Sequence, residues 1–311
     1  MNDISYTTEE IAAILKVSKL TVYDLIKKGE LPAYRVGRQM RIDALDLEAY
    51  KTRAKKGAAS ISHTDQTQFT PDAASPAGSV IICGQDISLD ILTKHMEKPG
   101  IPYRPLRSYI GSLNGLLSMY KGEAHIVSTH LWDGDTNEYN IPYIRKVLVG
   151  HRYLVVNLLC RRAGFYVSKE NPKKIKNWAD ITRKDIRFVN REKGSGARVL
   201  LDEQLRLHNI RVWDISGYER EETNHLAVAG AVASGEADVG LGIEKASYIV
   251  GVDFIPLIEE RYDLVMLKTK DNEPLRDLLL NTLRSPAFQH ELATIGGYDL
   301  SSTGTIMYET Y

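Results

Sequence analysis

Twice in this chain a polar cap, a helical pattern, the tripeptide Gly-Glu-Ala and a strand-like run follow one another. The copies are "GSLNGLLSMYKGEAHIVSTHL" at 111–131 and "TNHLAVAGAVASGEADVGLGI" at 223–243. Each is preceded by another strand–turn–helix unit, one beginning at Val80 and the other at Ile186. Around them "SVIICG", "YLVVNLL", "GFYVS", "IRFVN", "FIPLI" and "YDLVMLK" read as strands alternating with helical stretches. Such alternation predicts an α/β fold with largely parallel sheets. The duplication predicts two similar α/β lobes rather than one continuous sheet. Lobe I is expected over about 79–160 and 250–311, and lobe II over about 161–249.

Ligands of open α/β sheets sit beyond the carboxyl ends of the strands, where helix N-termini converge. That rule nominates six loops. Gln85-Asp86-Ile87-Ser88, Gly111-Ser112 and Thr129-His130 come from lobe I. Gly194-Ser195-Gly196, Thr223-Asn224-His225 and Gly242-Ile243-Glu244 come from lobe II. The "GSG" turn lacks the lysine and Ser/Thr pair of a phosphate-cradling P-loop, so it is expected to form one jaw of a two-lobe clamp. Arg198, one turn into the following helix, is expected either to grip an anion bidentately or to pair with Asp202 at i+4. Glu244 is expected to cap a helix or to meet a cationic ligand group.

A different grammar governs the N-terminus. "YTTEEIAAILKVSKLTVYDLIKKGELPAYRVGRQMRI" begins with a capping box, Thr7 with Glu10, before a short helix whose Ile11, Ile14 and Leu15 share a face. Ser18 caps a second helix ending near Gly29, with Val22, Leu25 and Ile26 inward and Leu20, Tyr23, Asp24 and Lys27 outward. The pieces "AYRV" and "QMRI", joined through Gly37-Arg38, form a hairpin wing, and a helix is expected from about Asp43. Forty basic and forty acidic residues cancel over the whole chain, yet Lys16–Arg41 holds seven basic against two acidic ones. That local field suits a nucleic-acid backbone. Residues 57–78, "GAASISHTDQTQFTPDAASPAG", are small, polar and proline-containing, as a flexible tether would be.

Residues 6–50 resemble the excisionase or MerR-type winged helix-turn-helix family. The carrying residues include Thr8, Glu9, Glu10, Leu15, Val17, Ser18, Thr21, Val22, Gly29, Leu31, Pro32, Arg35, Gly37 and Arg41. The resemblance implies a second helix in the major groove and a wing on the backbone or minor groove. Lys19, Leu20, Thr21 and Tyr23 would then meet base edges, while Lys27, Arg35, Arg38 and Arg41 would meet phosphates. Residues 79–311 resemble the type 2 periplasmic-binding-protein fold, in the branch related to molybdate-binding proteins. Carrying motifs include "KGSGARVLLDEQL", "NHLAVAGAVASGEADVGLGIEKAS" and "RSPAFQHELATIGGYD". In that branch serine hydroxyls and backbone amides hold the oxyanion, and Ser112 and Ser195 would correspond. Gln85-Asp86 stands where a first-strand serine is expected, and an ionised Asp86 opposes a divalent oxyanion.

The sequence thus predicts a winged helix-turn-helix domain over 1–56, a linker over 57–78 and a two-lobe ligand-binding domain over 79–311. The expected ligand contacts are Gln85, Asp86, Ser112, His130, Ser195, Gly196, Arg198, Asn224 and Glu244. The function expected is a ligand-responsive transcriptional regulator that binds double-stranded DNA as a homodimer and senses molybdate or tungstate. The alternatives are a sensor of a small carboxylate or zwitterionic metabolite, and an enzyme on a two-lobe transferase-like fold. No activated nucleophile or acid/base motif supports the enzyme. Neither the N-terminus nor any apolar run reads as a signal peptide or membrane span, so a cytoplasmic protein is expected. Cys83 and Cys160 are expected to be buried thiols, and the histidines show no metal-ligand spacing, so neither metal nor cofactor is expected.

Overall fold

The computed structural model describes residues 5–15, 17–27, 31–36, 39–44, 46–47, 50, 78–97 and 100–311. The chain divides into two units, Met1–Phe69 and Thr70–Tyr311.

In the first unit, β1 (Ser5–Thr7) leads into α1 (Thr8–Leu15), and α2 (Lys19–Lys27) follows. The capping box forms: the Glu10 amide donates to Thr7 Oγ1 at 3.3 Å and the Thr7 amide donates to Glu10 Oε2 at 2.8 Å. Ser18 Oγ accepts from the Thr21 amide at 3.1 Å, fixing the start of α2. The wing is larger than the expected hairpin. β3 (Gln39–Asp43) pairs antiparallel with β2 (Tyr34–Val36) and also with β1. Ile11, Val22, Leu31, Ile42 and Leu47 form the core. Ile14, expected beside Ile11, is 41% exposed instead, while Ala12 and Leu15 pack against the core. On α2, Leu20 is 78% and Tyr23 43% exposed, while Thr21, Asp24 and Lys27 face solvent as expected. Lys19 pairs with Glu9, Arg35 is exposed and Arg41 is half-buried. Lys28, Gly29, Gly37, Arg38 and the tether over 57–77 lie outside the described residues.

In the second unit, β4 (Ser79–Cys83), β5 (Arg104–Ser108) and β6 (Ile126–Thr129) run parallel, with α3 (Ser88–Met96) and α4 (Ser112–Tyr120) between them. A short hairpin, β7 (Trp132–Asp133) and β8 (Glu138–Tyr139), and α5 (Ile141–Val147) lead to β9 (Tyr153–Val167). The second lobe repeats the parallel pattern. β10 (Phe188–Arg191) pairs with β11 (Glu221–Glu222) and with β12 (Val239–Ile243), around α6 (Gly196–Leu207) and α7 (His225–Ala233). After α8 (Glu244–Val250), β13 (Asp253–Leu267) returns to the first lobe, where α9 (Glu273–Arg284), α10 (Pro286–Ile295) and β14 (Ile306–Glu309) complete the chain. Helices cover both faces of each lobe's sheet, giving two apolar cores per lobe.

Two expectations are corrected here. "YLVVNLL" and "GFYVS" are one fifteen-residue strand, β9, and "FIPLI" and "YDLVMLK" are one fifteen-residue strand, β13. These strands pair antiparallel along their length, so both lobes share one continuous nine-stranded sheet. The polar stretch around Arg161 reads as a break, but Glu260 stands opposite it in register and satisfies its charge. β13 accommodates Pro256, which has no N–H to donate, at a register shift between Pro256 and Ile258. Both cysteines are free; Cys83 is buried and Cys160 half-buried. Among the described residues no helix is long and apolar enough to cross a membrane.

Candidate ligand-binding cleft

Where the two lobes face each other, the structure encloses a small polar cavity of about 20 Å³. Five of the six loops nominated from sequence contribute to it or to the larger groove of about 530 Å³ at its mouth. Three helix N-termini meet there, because each parallel strand ends at this edge and its loop turns directly into a helix. Ser112 opens α4, Ser195 caps α6 and His225 opens α7; all three line the cavity. The dipoles of these helix N-termini favour negative charge at this point.

Behind the cavity lies a buried ion cluster centred on Arg161, a residue the sequence reading did not nominate. Its guanidinium donates to Glu260 from Nε at 2.6 Å, approaches Glu260 again from Nη2 at 2.6 Å and pairs with Asp86 through Nη1. It stacks 4.3 Å over the Tyr262 ring. Asp86 also accepts from the Ser88 amide at 2.8 Å and from Tyr298 Oη at 2.9 Å. Burial pushes the Asp86 carboxyl up, but Arg161 and these donors outweigh it and hold the group below its ordinary range. Burial likewise opposes ionisation of Glu260, yet Arg161 and His130 bring that carboxyl to about 2. The objection that Asp86 would repel an anion weakens, since its charge is committed to Arg161. His130 Nδ1 lies 2.8 Å from Glu260 Oε2.

Arg191, at the end of β10, supplies the second cavity arginine and was also missed. It holds Glu192 at 2.7 and 2.8 Å and donates from Nη2 to Gln85 Oε1 at 2.6 Å. Gln85 Nε2 in turn donates to Glu192 Oε1 and to the Thr223 carbonyl, both at 3.2 Å. This lobe I side chain is therefore inserted among lobe II polar groups. The Leu113 amide donates across the cleft to the Gly194 carbonyl at 3.0 Å. Arg161 sits with Arg162 inside the long, largely apolar strand β9, where charge reads as a strand edge, and Arg191 ends the four-residue β10. Glu260 is 99 residues from Arg161, and Gln85 is 106 from Arg191, whose other partner Glu192 is its chain neighbour, so no local signal marks either as a cavity residue.

The other nominated residues divide. Gln85, Asp86, Ser112, His130 and Ser195 line the cavity, and Gly196 abuts His130. Asn224 lines the outer groove and caps α7, accepting from the Ala227 amide at 2.8 Å. Ser195 Oγ is spent on its own helix: it accepts from the Arg198 amide at 3.3 Å and donates to the Glu192 carbonyl at 2.9 Å. What Ser195 presents to the cavity is a capped helix end rather than a free hydroxyl. For Arg198 the second of its two expected roles is the one seen, the i+4 pair with Asp202. Arg198 pairs with Asp202 at 3.2 Å and Glu221 at 2.9 Å, stacks 4.3 Å over Tyr218 and does not line the cavity. Glu244 opens α8, binds Arg162 at 2.7 Å and accepts from Tyr248 Oη at 3.0 Å, outside both voids. Among the described residues no group of three or more His, Cys, Asp or Glu could hold a metal ion.

A two-lobed cleft of this kind, with helix N-termini and arginines converging between parallel sheets, defines a small-ligand binding protein of the periplasmic-binding type. The chain belongs to the PBP superfamily: residues 93–284 match the family model for the PBP superfamily domain. Residues 5–55 match the model for a helix-turn-helix domain. Over 313 residues the chain is 50% identical to YvgK, an uncharacterized protein of Bacillus subtilis (strain 168), with all of both chains covered. A 38-residue stretch, 12% of this chain, is 58% identical to Rv0500A of Mycobacterium tuberculosis (strain ATCC 25618 / H37Rv), described as a DNA-binding protein, and covers 49% of it. A solved structure of similar fold is a Clostridium perfringens protein described as a phosphate ABC transporter substrate-binding protein, with bound phosphate. It matches with a TM-score of 0.51 at 16% identity, covering 71% of this chain and 99% of that one.

Proposed function

We propose that the chain is a one-component transcriptional regulator: a winged helix-turn-helix that binds duplex DNA, joined to a two-lobe sensor of a small oxyanion. The ligand we favour is molybdate or tungstate. The observation that carries this reading is the cavity itself. It is compact, lined by Arg161 and Arg191, and sits at three helix N-termini, with Asp86 already neutralised by Arg161. Fixed dipoles and arginine donors of this kind stabilise a desolvated anion. DNA contact falls to Lys19, Leu20, Thr21 and Tyr23 for bases and to Lys27, Arg35, Arg38 and Arg41 for phosphates. Ligand closes the lobes, and a homodimer carries that change to paired DNA half-sites.

The groove of about 530 Å³ beside the cavity favours a second reading, in which a small carboxylate metabolite extends outward past Gln85. Calorimetric titration of the full chain separates the two. Molybdate or tungstate should bind at about micromolar affinity or better, near −8 kcal/mol. If neither does and a carboxylate metabolite does, the oxyanion assignment is wrong.

A further inference from the structure

His225 is a cavity histidine that, unlike His130 beside Glu260, forms no ion pair among the described residues. It opens α7, lines the cavity, and its Nδ1 is buried without a hydrogen-bond partner among the described residues. Two arginines and a second histidine face it, and the arginines are themselves ion-paired. Arg191 comes from β10, Arg161 from β9 and His130 from the loop after β6. The carboxylates in and around the cavity are committed: Asp86, which lines it, and Glu260 behind it to Arg161, and Glu192 of the outer groove to Arg191. Glu221 of β11, which packs beside α7, is paired with Arg198. We propose that binding in this cleft draws one proton from solvent onto His225, so that the site takes a dianion in preference to a monoanion or zwitterion. This rests on the reading of the cleft as an oxyanion site.

The balance is simple. Burial and the neighbouring cations hold His225 neutral, well below the ordinary imidazole range. A dianion in the same cavity reverses the field at the ring, and the imidazolium that forms offers a donor at each nitrogen. A monoanion raises the ring's proton affinity less than a dianion does, and a zwitterion, with no net charge, least. By linkage, a ligand whose binding takes up a proton binds more tightly as pH falls between the free and bound pKa values, by up to roughly tenfold per pH unit.

The test is calorimetry of the full chain with molybdate, a dianion with no proton of its own to exchange near neutral pH. Titrations run in buffers of different ionisation enthalpy, at about pH 6.5, the region where histidine switches. The expected result is net uptake of up to about one proton per site, with affinity rising several-fold per unit drop in pH. His225→Gln should lower the uptake to near zero and flatten the pH profile, while His208→Gln, exposed and outside the cavity, should keep the uptake. Molybdate binding without proton uptake overturns the proposal, as does uptake that persists in His225→Gln. If molybdate does not bind at all while a carboxylate does, the oxyanion reading itself fails, and that outcome is distinct from binding without a proton.

Discussion

Gly196 of the second lobe lies against His130 of the first: a Cβ on Gly196 would stand 2.4 Å from the imidazole Cε1 and Nδ1. The ring cannot yield freely, because Glu260 holds it at 2.8 Å and Tyr262 sits 5.4 Å away between centroids. This contact crosses the cleft, so a side chain at 196 props the lobes apart. Gly196→Val should weaken ligand binding by more than about tenfold, the scale of losing one charge-assisted contact. Calorimetry on the variant checks this. Because the site opens a helix, where glycine is dispensable, thermal stability should fall little.

Arg161 and Arg198 make opposite predictions. Arg161→Met leaves the carboxylates of Asp86 and Glu260 buried without a cation, which should cost about 3–5 kcal/mol. Arg198→Met removes pairs with partly exposed partners outside the cavity, and ligand affinity should stay within about twofold. Urea unfolding of the first and titration of the second measure each effect. A large affinity loss in Arg198→Met with unchanged stability would return that residue to the ligand.

Stability should fall in two stages on acidification. His225 is depressed in the fold, so its contribution is present at higher pH and is lost as pH drops below about 6.5, where the unfolded imidazole binds a proton. Glu260, held to about 2, and Asp86, also lowered, contribute stability above their unfolded values that is lost as pH falls through the folded ones. Asp263 is raised by burial and works in the opposite sense. Denaturation midpoints across the acid range should show the first stage disappear in His225→Gln and the second shrink in Glu260→Gln.

The reading heads carry a separate expectation. Arg41→Ala should weaken binding to every duplex alike, whereas Thr21→Ala or Tyr23→Ala should alter sequence preference, because phosphate contacts position and base contacts specify. Electrophoretic assays at low salt with varied duplexes distinguish the two patterns.

Much of this was legible in the sequence because it is written in local grammar. The Thr7–Glu10 box, the Ser18 cap, the repeated helix–Gly-Glu-Ala–strand unit and the five loops that meet at the cleft are all short-range signals. What stayed hidden depends on distant pairing. Arg161 and Glu260 face each other only once two fifteen-residue strands are zipped together. The same pairing made a polar stretch look like a strand break. Arg198 misled for the complementary reason: helix position placed it near the jaw, but Asp202, Glu221 and Tyr218 turn it away. Ser195 lines the cavity, yet its hydroxyl serves the helix cap.

The central claim is that one chain couples a ligand cleft to a DNA reader, and fluorescence anisotropy of the full chain on its own operator tests it most directly. Affinity would be measured with and without saturating ligand, in the wild type and in Gly196→Val. Ligand should shift DNA affinity in the wild type by about fivefold or more, a coupling of roughly 1 kcal/mol, and leave the variant unmoved. Tight ligand binding with identical DNA affinity in its presence and absence would contradict the account.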